Sequence, residues 1–344
     1  MALEPTALLS IKPSKLALMP AMLAAQQRPL YFLNIKKIFQ DMKTKNKHIS
    51  TECYPCIFQQ LLSIATLMEL DEADKKSFFE KLMQYLLETH GDGIIVQHII
   101  RKAADTVIDM MNKPSDFDPY SAIKRHSNDI ALDHYQAFNT MIRESDFPLQ
   151  TALKVAAAGN IIDFGVTNHA DLDIKKELGS IDQRGFGVYN YDEFHNNLST
   201  ARVLLYICDN SGEIVLDKIF IEEIKKTFSS LNIICALREK PIINDAMLND
   251  ALYVGLDQVA TIISSGSVYP GTILEETSSE FRGLFDTSDI IISKGQGNFE
   301  TLLDEATEKM FFILRIKCER MARLSNVKRG DLVLMQGKHQ LIEH

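Results

Sequence analysis

Arg202-Val203-Leu204-Leu205-Tyr206-Ile207-Cys208-Asp209-Asn210-Ser211-Gly212-Glu213 is the stretch that sets the fold class. Its first half is a short, β-favouring apolar run, as expected of a buried strand, and a polar turn closes it. A helical pattern follows from about residue 213 to 226. The theme recurs downstream. Ile233 to Leu237, Gln258 to Ser264 and Asp289 to Ser293 read as further strands, the last running into a Gly-rich turn and a helix near Phe299. Strands alternating with helices imply βαβ units and a mainly parallel sheet. Open sheets of this kind bind ligands outside the carboxyl ends of their strands, so the chemistry is sought there.

Upstream the pattern is helical. Ile57, Phe58, Leu61, Leu62, Ala65 and Met68 share one helical face, as do Phe78, Phe79, Leu82, Met83, Leu86 and Leu87 ahead of Gly91. Ile94 to Met111 and Ala122 to Ile142 continue the theme, and no β-rich run is visible in this half. The expected organisation is a loosely defined extension over 1–47, a helical lobe over 48–198, an α/β metal-binding domain over 199–336 and a short tail over 337–344.

The 344 residues carry a net charge of -9, with 46% hydrophobic and 24% charged residues. That balance belongs to a globular chain, and its acidity argues against nucleic acid or an anionic membrane as the main partner. No apolar stretch reaches the roughly 20 residues of a membrane span. Five scattered cysteines do not form a disulfide framework and suit a reducing, cytoplasmic compartment. The run Leu16 to Ala25 after Lys12 and Lys15 has a weak signal-peptide character, interrupted by Pro20.

Each expected strand end offers candidate chemistry and a plainer alternative. Asp209 and Asn210 present two hard oxygen ligands of the kind Mg²⁺ and Mn²⁺ prefer, beside a helix N-terminus that favours anions. The same residues also suit a helix cap and a turn. Asp245 brings a second carboxylate to the same rim, or caps the next helix. Gly266, Gly271 and Thr272 lie in a small-residue loop that could approach a phosphate through its amides or be an ordinary loop. Lys294 sits between a buried strand and Gly295-Gln296-Gly297, so its stem can be fixed while its ammonium faces the cleft; the plain alternative is a surface lysine beside a turn. Asn160 and Asp163 interrupt the apolar segment after Ala156-Ala157-Ala158-Gly159 and need polar partners, or mark a helix end. Cys53-Tyr54-Pro55-Cys56 is a CxxC at a helix start, open to structural, metal and redox readings.

Taken together and in order, these motifs resemble the damage-control phosphatases, the family once called domain of unknown function 89. The resemblance runs from about Thr51 to Leu334. It rests on Glu-Cys-Tyr-Pro-Cys at 52–56, Gly-Asn-Ile-Ile-Asp at 159–163, Cys-Asp-Asn-Ser-Gly-Glu at 208–213 and Asn-Asp-Ala at 244–246. Gly266, Pro270-Gly271-Thr272, Lys-Gly-Gln-Gly-Asn at 294–298, Lys317-Cys318 and Gly330-Asp331-Leu332-Val333 complete it. The CxxC places the chain with the microbial branch. The resemblance implies a Rossmann-like α/β/α domain with an N-terminal all-helical lobe. It implies a divalent metal (Mn²⁺, Co²⁺, Ni²⁺ or Mg²⁺) on Asp209, Asn210 and Asp245, and Lys294 on the substrate phosphate. The implied activity is hydrolysis of phosphomonoesters of small metabolites, sugar phosphates or damaged phosphometabolites. In that scheme Asp209, Lys294 and Glu213 are catalytic, with Glu213 orienting a ligand or a water. Asn160, Asp163, Gly266, Gly271 and Thr272 line the substrate. Ser211 stands where alanine is common in the family. The rivals are a non-catalytic module binding a phosphorylated ligand, a protein carboxyl methyltransferase, for which only Gly212 follows the first strand, and a thiol oxidoreductase built on Cys53 and Cys56.

Overall fold

Residues 49–89, 93–159 and 185–338 are described by a computed structural model, within one compact unit, Lys47–His344. Among the described residues six helices come first: α1 Tyr54–Leu67, α2 Glu72–Glu88, α3 Val96–Met110, α4 Ser121–Asp133, α5 Tyr135–Arg143 and α6 Pro148–Ala158. Pro55 and Pro148 sit in the first turns of α1 and α6, where a missing N–H costs nothing. Asp71 caps α2 by accepting from the Asp74 amide at 2.8 Å. The stretch expected as one helix over 122–142 is two, because the chain turns at His134, which caps both.

The α/β part follows as β1 Phe186–Tyr189, α7 Tyr191–Thr200, β2 Val203–Ile207, α8 Glu213–Thr227, β3 Asn232–Leu237, α9 Leu248–Tyr253, β4 Thr261–Ser264, α10 Ser279–Thr287, β5 Ile290–Lys294, α11 Gln296–Leu302, β6 Met310–Arg315, α12 Glu319–Leu324 and β7 Leu332–Gln336. The seven strands form one sheet in the order β1-β7-β6-β5-β2-β3-β4. Every pairing is parallel except β6 with β7. From β2 the chain steps outward to β3 and β4, then returns to lay β5 on the other side of β2. The order therefore reverses between β2 and β5, which opens a crevice above their carboxyl ends.

Helices cover both faces of the sheet, giving the α/β/α layering expected. On one face α4 to α8 bury Phe194, Ile214, Ile219 and Phe220 against β2, β5 and β6. On the other, α10, α11 and α12 bury Phe281, Phe299 and Met321. Helices α1 to α3 keep a core of their own, built on Ile57, Leu61, Phe78, Leu82, Ile99 and Val107 and joined by Ile242 from the loop after β3. Their buried stripe is narrower than the sequence pattern suggests. Phe58, Leu62, Met83 and Leu87 are exposed, because α1 and α2 each present one face to the small core and leave the next turn of apolar residues outside.

Two strands were not anticipated. β1 lies inside the stretch 48–198 expected to be wholly helical: with four residues and an exposed alternate face, it is too short for periodicity to distinguish it. β6 is an unbroken apolar run, Met310 to Leu314, which periodicity alone cannot separate from buried helix. Helices α4 to α6, placed by sequence in a separate lobe, share the core of the sheet.

Small residues set the distance between α6 and α8. A β-carbon on Gly159 would come within 3.0 Å of the Glu213 side chain, so the run Ala156-Ala157-Ala158-Gly159 lets α8 approach closely. Leu153 on the same helix is fully buried in the core that α6 and α8 share. Leu153→Ala is expected to cost about 2–5 kcal/mol of unfolding free energy, whereas Leu62→Ala on the exposed face should stay within about 0.5 kcal/mol. Urea denaturation of the two variants measures the difference.

Candidate active site

The carboxyl end of β2 carries Asp209 into the crevice at the switch point. The following turn requires Gly212, whose φ of 81° is open to glycine and strained for other residues. Its amide donates to Asn128 Oδ1 at 2.6 Å. The loop after β3 folds back beside it, and Asn210 and Asp245 form an antiparallel bridge. The Ala246 amide donates to the Asp209 carbonyl at 2.8 Å, and the Ser211 amide to the Asn244 carbonyl at 3.0 Å. The expected trio Asp209, Asn210 and Asp245 is thus brought together by backbone pairing between two strand ends. Ile243, just before this bridge, holds a φ of 35°, a strained conformation for a β-branched residue that the surrounding pairing enforces.

Arg238, 1% exposed, underlies the rim. Its Nε donates to Asp245 Oδ2 at 2.7 Å, its Nη1 to Thr272 Oγ1 at 2.9 Å and its Nη2 to Asn298 Oδ1 at 2.9 Å. Asn298 in turn donates to the carbonyls of Cys208 and Lys294, at 3.1 and 2.8 Å. One guanidinium therefore ties the ends of β2, β3 and β5 and the loop after β4 to each other.

Lys294 does not face the cleft. It is fully buried, and its ammonium donates to Glu213 Oε1 at 2.7 Å, Asp217 Oδ1 at 2.5 Å and the Ala156 carbonyl at 3.1 Å. These three acceptors use all the donors an ammonium has. The expected contact with a substrate phosphate is thereby replaced by an internal one, because α8 brings two carboxylates beneath the strand end. Burial opposes the charge, but Asp217 and Glu213 outweigh it and hold the ammonium above the ordinary lysine range. Asp217, raised to about 6 by burial against the pull of Lys294, also accepts from the Tyr206 hydroxyl at 2.7 Å. Glu213 passes this thread to the rim, accepting from Asn210 Nδ2 at 3.4 Å, while Asn210 also donates to Asp209 Oδ2 at 2.8 Å. Glu213 thus positions Asn210 from beneath.

The loop after β4 also departs from expectation. Thr272 is buried, donating its hydroxyl to Asn298 and its amide to Thr301 Oγ1. The amides of Ser265, Gly266, Ser267, Tyr269 and Gly271 are likewise taken by acceptors within the protein. Gly266 and Gly271 are small because Ser278 and Gly297 backbone atoms stand 2.5 and 2.6 Å from where a β-carbon would be. The loop is a packed support for Arg238 rather than a phosphate cradle. Asn160 and Asp163 lie outside the described residues.

Lys317, which sequence reading notes within Lys317-Cys318 but gives no role, is a further cation near the rim. It is exposed, just beyond β6, and its charge acts on Asp209 and Asp245 alike, holding both below where burial would put them. The signal available was its place two residues past a strand end, legible only once β6 is recognised. Burial first, then Asp245 and Glu213, raise Asp209 to about 8. Asp245 is raised chiefly by burial, against Arg238.

These shifts describe surplus negative charge. Among the described residues, four buried carboxylates, Asp209, Glu213, Asp217 and Asp245, face two buried cations, Arg238 and Lys294, while the nearby Lys124 is taken up by Asp118 and Asp250. A divalent cation beside Asp209 and Asp245 balances that count, and the donors are all oxygens once Asn210 turns its carbonyl to the site. Among the described residues no three Asp, Glu, His or Cys side chains form a ready ligand cage; the set that fits is two carboxylates and one amide. A concavity of about 490 Å³ lies elsewhere, on the α2–α3 face between Lys81, Tyr85 and Lys102, away from every strand end.

A Rossmann-like sheet with an acidic rim at its switch point, joined to a helical lobe, is the architecture of the family once called domain of unknown function 89. Residues 49–333 match the damage-control phosphatase ARMT1-like domain, and the chain belongs to that family. An uncharacterised protein of Methanocaldococcus jannaschii is 32% identical over 302 residues, covering 84% of this chain and 95% of its own. A damage-control phosphatase of Pyrococcus horikoshii is 35% identical over 224 residues, covering 65% and 76%. One from Archaeoglobus fulgidus is 30% identical over 288 residues, covering 83% and 98%. The crystal structure of a family member from Pyrococcus horikoshii superposes with a TM-score of 0.75 at 30% identity, over 84% of this chain and 99% of that one.

The geometry assigns Lys294 a supporting role that can be measured. Lys294→Ala leaves Glu213 and Asp217 buried without their cation, and is expected to destabilise the fold by roughly 3–5 kcal/mol, read by urea denaturation. Gly295→Ala acts differently. Its β-carbon would stand 1.8 Å from Asp209 Oδ2, so a folded variant with impaired metal binding is expected, measured by calorimetric titration with Mn²⁺.

Proposed function

We propose that this protein is a divalent-metal-dependent phosphatase acting on phosphomonoesters of small metabolites, sugar phosphates or damaged phosphometabolites. The observation that carries the reading is the rim itself: buried carboxylates in excess of their cations at a sheet switch point, with the exposed Lys317 beside them. Two of the relatives are named damage-control phosphatases, which supports the same activity. Asp209, Asn210 and Asp245 would hold the metal; oxygen donors suit Mn²⁺ or Mg²⁺, with Co²⁺ and Ni²⁺ as alternatives. When bound, the metal supplies Lewis acidity toward the phosphoryl group.

The chain's own residues do the remaining work. Arg238 fixes the Asp245 carboxylate, and Glu213, held by Lys294, is the acceptor that Asn210 leaves when it turns its carbonyl to the metal. Lys317 offers its ammonium to phosphoryl oxygens as their charge builds, the role that sequence reading gave to Lys294. Small phosphorylated metabolites are the partners in this reading, with neither nucleic acid nor membrane. No helix among the described residues is long and apolar enough to cross a membrane. Five free cysteines suit a reducing cytoplasm.

Phosphate release from a panel of phosphorylated metabolites, with each metal and with chelator, tests the proposal. Asp209→Ala and Asp245→Ala should abolish both metal retention and turnover. Lys317→Ala should keep metal affinity while kcat falls roughly 10²-fold to 10³-fold, and Lys317→Arg should restore part of it. A change in kcat below about threefold, less than the loss of a charge-stabilising contact, would exclude Lys317 from the site. Ligand binding without any turnover would mark a binding module instead.

A further inference from the structure

A third thiol, Cys318, acts on the CxxC from the segment that the Glu52–Arg323 pair holds against it. Cys53 is the N-cap of α1 and Cys318 the N-cap of α12, far apart in sequence. Both carboxylate oxygens of Glu52 accept from Arg323 Nη2, at 2.6 and 2.8 Å. The residue immediately before Cys53 therefore grips the helix that Cys318 begins. Cys53 and Cys318 are half-buried, and Cys56 is exposed. Burial raises the Cys53 thiol, Arg320 beside it works the other way, and Glu300 and the Cys318 sulfur raise it further. All three of these neighbours belong to the α/β part. Cys318 also connects inward. Its Sγ accepts from Gln296 Nε2 at 3.6 Å, and Gln296 Oε1 accepts from the Lys317 amide at 2.7 Å. Gln296 directly follows Gly295, which abuts Asp209.

We propose that Cys53 and Cys318 are a thiol–disulfide modification site that couples the start of the helical lobe to the Lys317 segment of the rim. The oxidant class is a small disulfide such as glutathione disulfide. The Cys318 thiolate attacks one sulfur of that disulfide and expels a glutathione thiolate. The Cys53 thiolate then attacks the Cys318 sulfur of the mixed disulfide and expels the second. Two protein thiols are oxidised, two glutathione thiols are formed, and the two protons released from the protein thiols are taken up by the leaving thiolates. A protein disulfide requires α-carbons within about 4.4–6.8 Å and a restricted dihedral, so closing it fixes the backbone next to Lys317. The effect on turnover rests on the reading of the rim given above, whereas the linkage itself does not.

The full chain, equilibrated in glutathione buffers from reduced to oxidised, is digested without reduction and mapped by mass spectrometry. Phosphate release is followed in parallel with Mn²⁺ and a sugar phosphate. The expected result is a peptide linking Cys53 to Cys318, loss of most turnover on oxidation and recovery with dithiothreitol. Cys56→Ser should behave as the unaltered chain. Cys53→Ser and Cys318→Ser should keep basal turnover and lose its sensitivity to oxidation. A Cys53–Cys56 link, glutathione adducts alone, or no linkage would overturn the proposal, and mapping the unaltered chain reads this even if a variant fails to fold. Linkage that leaves turnover unchanged would overturn the coupling to the rim. Absence of phosphate release from the reduced protein would instead count against the phosphatase reading and leave the linkage result standing.

Discussion

A lysine ammonium with no access to water organises the centre of this molecule. Lys294 ends β5, yet its charge points down to Glu213 and Asp217 on α8 and to a carbonyl of α6. A cation in that position is tolerable only if its donors are all satisfied. The requirement fixes where α8 and α6 can lie relative to the sheet. Small residues on α6 permit that approach, and the Tyr206 hydroxyl completes the set from the neighbouring strand. The same contacts leave the second oxygen of Glu213 to hold Asn210, so the support of the fold and the support of the rim are one network.

Arg238 does the corresponding work on the other side. Its fork reaches Asp245, Thr272 and Asn298, which belong to three different strand ends. Between them the two buried cations neutralise only part of the carboxylate charge. The residual charge falls at the mouth of the crevice, where Asp209 is driven to about 8 by burial and its acidic neighbours. Buried charge of this kind is costly while unpaired, and the dication and phosphate of the proposed function would offset it and each other. The strain at Ile243 and the contact of Gly295 with Asp209 belong to the same rim, where departures from relaxed geometry are expected to concentrate.

The helical lobe is attached to this centre by few but polar links. Gln97 on α3 donates to Glu300 on α11, Arg101 to the Pro241 carbonyl, and Arg323 to Glu52. Ile242 inserts into the lobe's own core from the loop that carries Asp245. These links reach the rim at the loop that carries Asp245 and at the segment beyond β6.

The alternation of apolar runs and helical periods already determined the α/β class, the parallel sheet and the ends of β2, β3 and β5, because strand and helix periodicity are local properties. The order of motifs gave the family and pointed to the trio Asp209, Asn210 and Asp245: the first two follow the end of β2 closely, and Asp245 lies in the loop after β3 that the Asn210–Asp245 bridge folds back beside them. What the side chains do there was decided by the tertiary structure. Lys294 looks the same in sequence whether its ammonium rises into the cleft or sinks toward α8; only the position of Glu213 and Asp217, set by packing α6 on α8, settles it. Gly266, Gly271 and Thr272 have the composition of a phosphate loop, but their smallness answers to backbones pressed against them. The place of Lys317 near the rim and the contact of Glu52 with Arg323 depend on β6 and on the approach of distant segments, and such contacts leave no mark in local sequence, because the energy that makes them is shared among residues that become neighbours only when the chain has folded.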